Sequence, residues 1–497
     1  MTNPFRLAMN SLVVLGIAIS GCTTKFNTAT DAHNIGDFEK AASIADSLAP
    51  MMKRGGTDRL NVQYERDEMW IGLEKAKILA DAKRTKESID VFSFVDNRAM
   101  LLSDAESWYA KHPFDMKNWD AKQFIGDASQ SVMGADQIPY VVQPYELILV
   151  NAYRSLYLLL DGQDGAKQVA TRGVELQQFE KEDLKHAGYD DMTAPIAQMD
   201  GALKTSMNGN ATDFSFAGIF SLGDFTGAKE RMNATITAAR EVGAANPSVP
   251  FATVVEWAAF MTGVNSREEA NAAAKSVGES SGARSLSEKM LSFGDWHQDF
   301  VLVLIDSGRG PVRGSFDVKF PIVIPKVGST FFRAVYPVLK FRVADRPSDI
   351  KVGGAGVMDT ASILDSIDAI AARNFQRREN ELWWIPTYRA VFRAVATIVA
   401  QATQKEEDKT SKALIGLFGA IVAAAEQPDL RAWSTLPASQ YAAIVPRPAD
   451  GVVKVELKSP SSSGTFEVKV GPGSSIVYVR ALTPKITQFQ VAPLQRR

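Results

Sequence analysis

Hydrophobic residues recur at helical spacing up to about Trp296 and alternate at strand spacing after it. Asp37–Leu48 sets Phe38, Ala41, Ala42 and Ile44–Ala45 on one face, and Gly55-Gly56 breaks the run. Glu65–Ala82 follows with a stripe of Met69, Leu73, Ala76 and Leu79–Ala80, and Ser88–Val95 begins a return helix. Tyr145–Leu160 and Gly165–Gln178 repeat this arrangement around the turn Asp161–Asp164, as do Phe251–Met261 and Arg267–Val277. Each pair predicts a helical hairpin of roughly 30–35 residues, with Ala76, Ala152, Ala166, Ala258 and Ala270 where the helices cross. Beyond Trp296, strands are expected at Gln298–Asp306, Gly314–Pro325 and Ala334–Val343, with Pro337 marking an edge or a bend. A second helical block is expected from Thr360 to Ala425, then strands at Gly451–Leu457, Gly464–Val470 and Ser475–Ala481. The expected class is α+β: helical hairpins, then a small antiparallel β-rich domain with a helical insertion and helices packed against it.

The first residues follow a different pattern. Leu7–Ser20 is almost wholly apolar or small and is preceded by one charge, Arg6. It is too short for the ~20-residue helix that spans a bilayer and has the length and flanks of a signal-peptide core. It ends in Ile19-Ser20-Gly21-Cys22, which resembles the bacterial lipoprotein signal. That resemblance implies cleavage before Cys22, a diacylglyceryl group on its thiol and acylation of the new terminus. A plain secretory signal, or a short buried helix ending at a cysteine, are the alternatives. Cys22 is the only cysteine of the chain, so the body has neither a disulfide nor a thiolate metal site, and lipidation accounts for the odd thiol. Thr23 stands where an Asp commonly retains enteric lipoproteins at the inner membrane, which points to the outer membrane. Thr23–Gly36, small and polar without apolar period, is expected to be a flexible tether. The expected division is a signal over 1–21, acylated Cys22 and tether over 22–36, and helical hairpins over 37–290. The β-rich domain would take 296–346 and 450–483, with the insertion over 358–428.

Composition narrows the function. Lys and Arg number 55 against 57 Asp and Glu, a net charge of −2, which argues against nucleic acid. Hydrophobic residues make up 45% of the chain, the share of a globular protein, and no second stretch is long enough to cross a membrane. The nearest, Ala413–Ala425, is expected to be a buried helix.

The hairpins resemble tetratricopeptide-type repeats, without the full Trp-Leu-Gly-Tyr consensus. Asp67–Leu79, Asp299–Gly310, Pro386–Ala394 and Asp429–Pro437 together resemble a family of uncharacterised bacterial lipoproteins with a tetratricopeptide-like front and a β-containing back. Arg431-Ala432-Trp433 departs from that family's Arg-Ser-Trp before Leu-Pro. The resemblance implies an architecture and an envelope location, and no activity.

Catalytic chemistry is sparse. His33, His112, His186 and His297 have no ligand spacing, so neither a metal nor another cofactor is expected beyond the covalent lipid on Cys22. Gly278-Glu279-Ser280-Ser281-Gly282 has the G-x-S-x-G letters, but a helical run precedes it where a nucleophile elbow needs a strand. Ser307–Gly314 lacks a phosphate-loop lysine, and Pro311 removes a backbone donor. Val352–Val357 is glycine-dense but has no convincing strand before it. Arg373, Arg377, Arg378, Arg389 and Arg393 read as salt-bridge partners of Glu379 and Glu381 or as a docking face for an anionic partner, Arg389 and Arg393 sharing one face. Trp383-Trp384 reads as a helix end wedged on the sheet or as a sugar platform. With no catalytic residue assigned, the expectation is a non-enzymatic periplasmic scaffold binding another envelope protein. The alternatives are a peptidoglycan- or glycan-binding protein using Trp383, Trp384, Arg389 and Arg393, and a hydrolase using Ser280.

Overall fold

The computed structural model describes residues 23–54, 57–63, 65–104, 140, 142–182, 249–263, 266–279, 283–293, 298–324, 328–354, 356–377, 428–495 and the single positions 382, 386, 390, 394, 397 and 401. Its described elements build an α+β protein in three layers.

The helical layer begins with α1 (Thr23–Asn34) and α2 (Phe38–Leu48), followed by the short hairpin β1 (Met51–Arg54) and β2 (Thr57–Leu60). Three antiparallel pairs follow: α3 (Glu68–Asp81) with α4 (Thr85–Asp104), α5 (Pro144–Leu160) with α6 (Ala166–Glu182), and α7 (Pro250–Thr262) with α8 (Arg267–Gly278). A single helix, α9 (Arg284–Phe293), closes the run. Ala76, Ala152, Ala166, Ala258 and Ala270 are buried as the sequence pattern requires. A serine hydroxyl stitches three of the contacts: Ser88 donates to the Ala76 carbonyl at 2.7 Å, Ser155 to Ala166 at 2.8 Å, and Ser287 to Ala274 at 2.7 Å.

The expected tether over 22–36 is corrected. Thr23–Asn34 is a helix, with Phe26, Ala29, Thr30 and His33 buried at positions i, i+3, i+4 and i+7. The period is present but is written partly in Thr and His, so an apolar scan passes over it. α1 runs parallel to α3, since Phe26 meets Trp70 edge-on at 5.9 Å near their starts and His33 meets Asp81 near their ends.

α1, α3 and α5 end alike. Gly36, Lys83 and Gly162 each take a left-handed φ, and Asp37, Arg84 and Gln163 then donate back to the Ala32, Leu79 and Leu158 carbonyls. This is the Schellman closure, which satisfies the last carbonyls of a helix. Only Lys83 does so with a side chain.

The middle layer is a five-stranded sheet in the order β13 (Thr487–Pro493), β12 (Ser475–Ala481), β3 (Phe300–Ser307), β9 (Ser439–Pro446) and β8 (Ser362–Ser366). β12 and β3 are parallel and the other neighbours antiparallel, a departure from the wholly antiparallel sheet expected. β3 and β12 are buried along their whole length, which is why they read as unbroken apolar runs. Phe300, Leu302, Leu304 and Ile476 face the helices, while Val301, Val303, Ile305, Val477 and Val479 face the third layer. That layer is the sheet β11 (Ser463–Lys469), β10 (Val452–Lys458), β6 (Asp349–Gly354) and β7 (Val357–Thr360), which contributes Val352, Val455 and Leu457. A long hairpin, β4 (Arg309–Ile324) with β5 (Gly328–Arg342), forms a separate two-stranded ribbon, and Pro337 sits opposite Ser315 within it.

Two boundaries move. Residues 358–366, expected to open the helical insertion, fall in the paired strands β7 and β8, and α10 (Ile367–Arg377) begins only afterwards. The C-terminal β segment spans 439–493 instead of 450–483, because β9 and β13 flank it. The helices and the central sheet share one core, so they are not two separately cored bodies.

Candidate functional site

Inner and outer helices differ sharply. α3 is buried along all fourteen residues and α7 along twelve of thirteen, because the sheet covers one side of them and the outer helices the other. The hollow that stacked hairpins would offer a peptide is therefore filled by the protein's own central sheet.

Burying α3 whole encloses its charged residues, and these meet the C-terminal ends of β3 and β12. Lys77 Nζ donates to Asp81 Oδ1 at 2.6 Å and to the Tyr478 hydroxyl at 2.9 Å, and lies 3.4 Å from Asp306 Oδ2. Tyr153 and Tyr478 donate to Asp306 Oδ2 at 2.7 and 2.6 Å, and Gln440 donates to Oδ1 at 3.2 Å. Arg480 donates to Asp81 Oδ2 at 3.2 Å and to the carbonyls of Gly308 and Thr435 at 2.7 and 3.3 Å. His33 closes the cluster from α1, Nε2 to Asp81 Oδ2 at 2.8 Å.

Two cations face two carboxylates, so the enclosed charge balances, as burial demands. Burial alone would raise the Asp81 carboxyl; the Lys77 charge, the His33 hydrogen bond and the Arg480 charge together hold it well below the usual carboxylate range. Burial pushes His33 down to about 4 against the opposing pull of Asp81, so the imidazole is neutral at neutral pH. Its Nδ1 has no hydrogen-bond partner, which suits a neutral ring, since protonation there would bury an unpaired N–H. With these side chains committed to one another and none above 2% exposure, the cluster joins helices to sheet.

The opposite end of α3 and α5 is arranged differently. The strap 429–438 ties several elements together there: Arg431 bonds Asp67 at 2.9 Å, Ala432 accepts from Trp70 Nε1 at 2.9 Å, and Ser434 and Thr435 donate backbone N–H groups to Glu74. The strap then runs back toward the Asp81 end, where Arg342 of β5 binds the Gly310 carbonyl, the Ser434 carbonyl and Asn34 Oδ1. Beside the strap a narrow cleft of about 470 Å³, open mouth included, is walled by Tyr145, Glu146, Arg313, Asn374 and Trp433. Glu146 caps its own helix by accepting from the Gln143 N–H at 2.8 Å and from the Tyr140 hydroxyl at 2.7 Å. Burial raises it to about 7. Such a carboxyl can exchange a proton near neutrality, but no Ser, Cys, Lys or His is among the described residues lining the cleft.

The residues singled out in the sequence fall largely elsewhere. Ile19, Ser20, Gly21, Cys22, Trp383, Trp384, Arg389 and Arg393 lie outside the described residues, as do His112, His186, His297, Ser280 and Ala413–Ala425. Ser307–Gly314 is not a free turn: it runs through the end of β3 into β4, with Gly310 N–H on the Leu436 carbonyl at 2.6 Å. Val352–Val357 joins two paired strands, and a Cβ at Gly353 would stand 1.9 Å from the Val357 carbonyl oxygen, so glycine is there for strand approach. Among the described residues no cluster of His, Cys, Asp or Glu is placed to hold a metal ion, and no described helix is long and apolar enough to cross a membrane.

The sequence reading missed Lys77, Asp81, Asp306, Tyr478 and Arg480. A signal existed: Trp70, Ile71 and Ile78 lie off the main stripe of α3, so the helix is apolar on more than one side, the mark of a central helix. No protein-family model, curated protein or solved structure matches the chain.

Proposed function

We propose that the chain is a bacterial envelope lipoprotein, acylated on Cys22 and held at the outer membrane facing the periplasm, that acts as a non-enzymatic scaffold for another envelope protein. The observation that carries the address is Ile19-Ser20-Gly21-Cys22 behind the apolar Leu7–Ser20, in a chain with no other cysteine. Support for the scaffold role comes from where the polar chemistry is placed. Lys77, Asp81, Asp306 and Arg480 satisfy one another inside the body, and the inner helix faces are covered by sheet. The surface offered to a partner is then the outward side of the outer helices, such as Glu268, Glu269, Ala272 and Lys275 of α8.

Labelling with a palmitate analogue and flotation of membranes test the address. The wild-type chain takes up label and floats, and Cys22→Ala does neither; a Cys22→Ala chain that is still labelled contradicts the anchor. A photo-crosslinker placed at Glu268, Ala272 or Lys275 in intact envelopes tests the scaffold. A discrete adduct of constant mass is expected, and its absence at all three positions removes the scaffold reading for this face.

A further inference from the structure

The start of α1 fixes how the body meets the membrane. Thr23, its first residue, is joined directly to Cys22, and Phe26 is already buried against Trp70. Phe26 is four positions beyond Cys22, about 6 Å if helical and at most about 14 Å if fully stretched. α3, to which α1 is parallel, is 14 residues and so roughly 20 Å long. The chain outside the described body is therefore too short to bring the other end of α3 to the anchor. α1 is also held at its far end. His33 is in the buried cluster through Asp81, the Asn34 carbonyl accepts from Arg309 Nε at 2.9 Å, and Asn34 Oδ1 accepts from Arg342 at 3.1 Å.

The elements beside the start of α1 follow from contacts. Trp70 leads to Ala432, Arg431 to Asp67 and to the Arg66 carbonyl, and Tyr140 N–H to that same carbonyl. Tyr140 in turn reaches Glu146 at the start of α5. This end carries Asn27, Thr28 and Asn61, all exposed, and the apolar Leu430 at 45% exposure. The opposite end carries the turns after α3 and α5, with Lys86 and Gln163 exposed.

We infer that the end formed by the starts of α1, α3 and α5 and by the strap around Leu430 is a membrane-apposed face, resting on a lipid surface without an intervening tether. The inference rests on the lipid anchor at Cys22 proposed above. Among the described residues its exposed side chains include the uncharged Asn27, Thr28 and Asn61 and the apolar Leu430, with Arg59, Arg66 and Asp429 only partly exposed, which fits shallow contact with headgroups. Among the described residues it shows no cluster of fully exposed basic side chains of the kind that anionic-lipid recognition uses.

The test uses the full, acylated protein in phosphatidylethanolamine–phosphatidylglycerol vesicles carrying a nitroxide-headgroup lipid. Cys22 is the only native cysteine and its thiol would be occupied by lipid, so single reporters can be placed by Asn61→Cys, Leu430→Cys, Lys86→Cys and Gln163→Cys. Fluorophores at 61 and 430 should lose most of their emission and those at 86 and 163 should keep theirs. Inserting ten Gly/Ser residues between Cys22 and Thr23, with a span of about 16–19 Å, should restore emission at 61 and 430. Equal quenching at all four sites, or none, in protein that floats with the vesicles would overturn the membrane-apposed face while leaving the anchor standing. Protein that neither floats nor takes up palmitate would overturn the anchor, and the face with it.

Discussion

Three carboxyl groups of the body, Asp81, Asp365 and Glu146, are all buried and are treated in opposite ways. At the Asp81 end each carboxylate has a cation within reach, and Asp81 stays ionised far below the ordinary range. Away from that end, Asp365 is fully buried with one backbone N–H, from Phe251, and burial drives it to about 8. Glu146, hydrogen-bonded but without a cation in contact, is driven to about 7. Burial is common to all three; only at Asp81 do two cations, Lys77 and Arg480, together with the His33 hydrogen bond outweigh it. The paired end is the one that grips the last turn of α1 through His33. Glu146 and Asp365 can gain and lose protons near neutrality without breaking the grip on α1.

The largest effect should come from making the paired carboxylates resemble the unpaired ones. Lys77→Met leaves Asp81 and Asp306 with Arg480 alone, and loss of one partner from a buried pair costs about 3–5 kcal/mol. Urea unfolding at pH 7 reads this, and a loss below about 1 kcal/mol would mean that the cluster behaves like an exposed one. Next is the acid limb. His33 is lowered to about 4 from an unfolded value of 6.5, so the unfolded chain takes up a proton between those values and the folded chain does not. Stability therefore falls as pH drops from 6.5 to 4, by about 3 kcal/mol for this group. His33→Gln should flatten that limb in a pH series of urea midpoints.

Asp365 runs the other way. Its folded value is raised to about 8 from 3.8, so its stabilisation is complete below 3.8 and is lost as pH climbs toward 8. Linkage assigns on the order of 5 kcal/mol to that window. An Asn keeps an acceptor for Phe251 N–H but buries an amide, so Asp365→Asn should gain about 2 kcal/mol at pH 8. A loss of stability there would show that the carboxyl has a partner the amide cannot replace. The smallest effect is expected for Glu146→Gln, which retains the helix cap and removes the lesser shift. It should gain about 1 kcal/mol at pH 8 and nothing at pH 4, read by thermal melting at the two pH values.

Legibility in the sequence followed periodicity. Gln298–Asp306 and Ser475–Ala481 stand out because a strand buried on both faces is mostly apolar, Asp306, Tyr478 and Arg480 toward their ends being the exceptions. The helical hairpins stood out because their outer members keep one polar face. What was hidden shares one cause, burial written in polar letters. α1 meets its neighbours through Thr30 and His33 as much as through Phe26 and Ala29, so it read as a tether. Lys75, Lys77 and Asp81 on α3 interrupt its apolar stripe with charge; the sheet makes Lys77 and Asp81 internal, while Asp46 and Ala49 at the end of α2 enclose Lys75. β9 holds Ala442, Ala443 and Gln440 at its centre, too little bulk to declare a strand without its partners β3 and β8. The charged cluster itself joins residues some four hundred positions apart, Lys77 with Tyr478 and Asp81 with Arg480, and no local spacing records that.

The central claim is that α1 belongs to the body, so that the chain beside Cys22 is coupled to the Asp81 cluster without slack. Amide hydrogen exchange along α1 in the acylated, vesicle-bound protein tests this most directly. The account predicts protection from Thr30 to Asn34 of the same order as in α3, lost in Lys77→Met while the β3 and β12 amides remain protected. Exchange of those α1 amides at the rate of an unstructured chain in the wild-type protein would contradict it and restore a flexible tether.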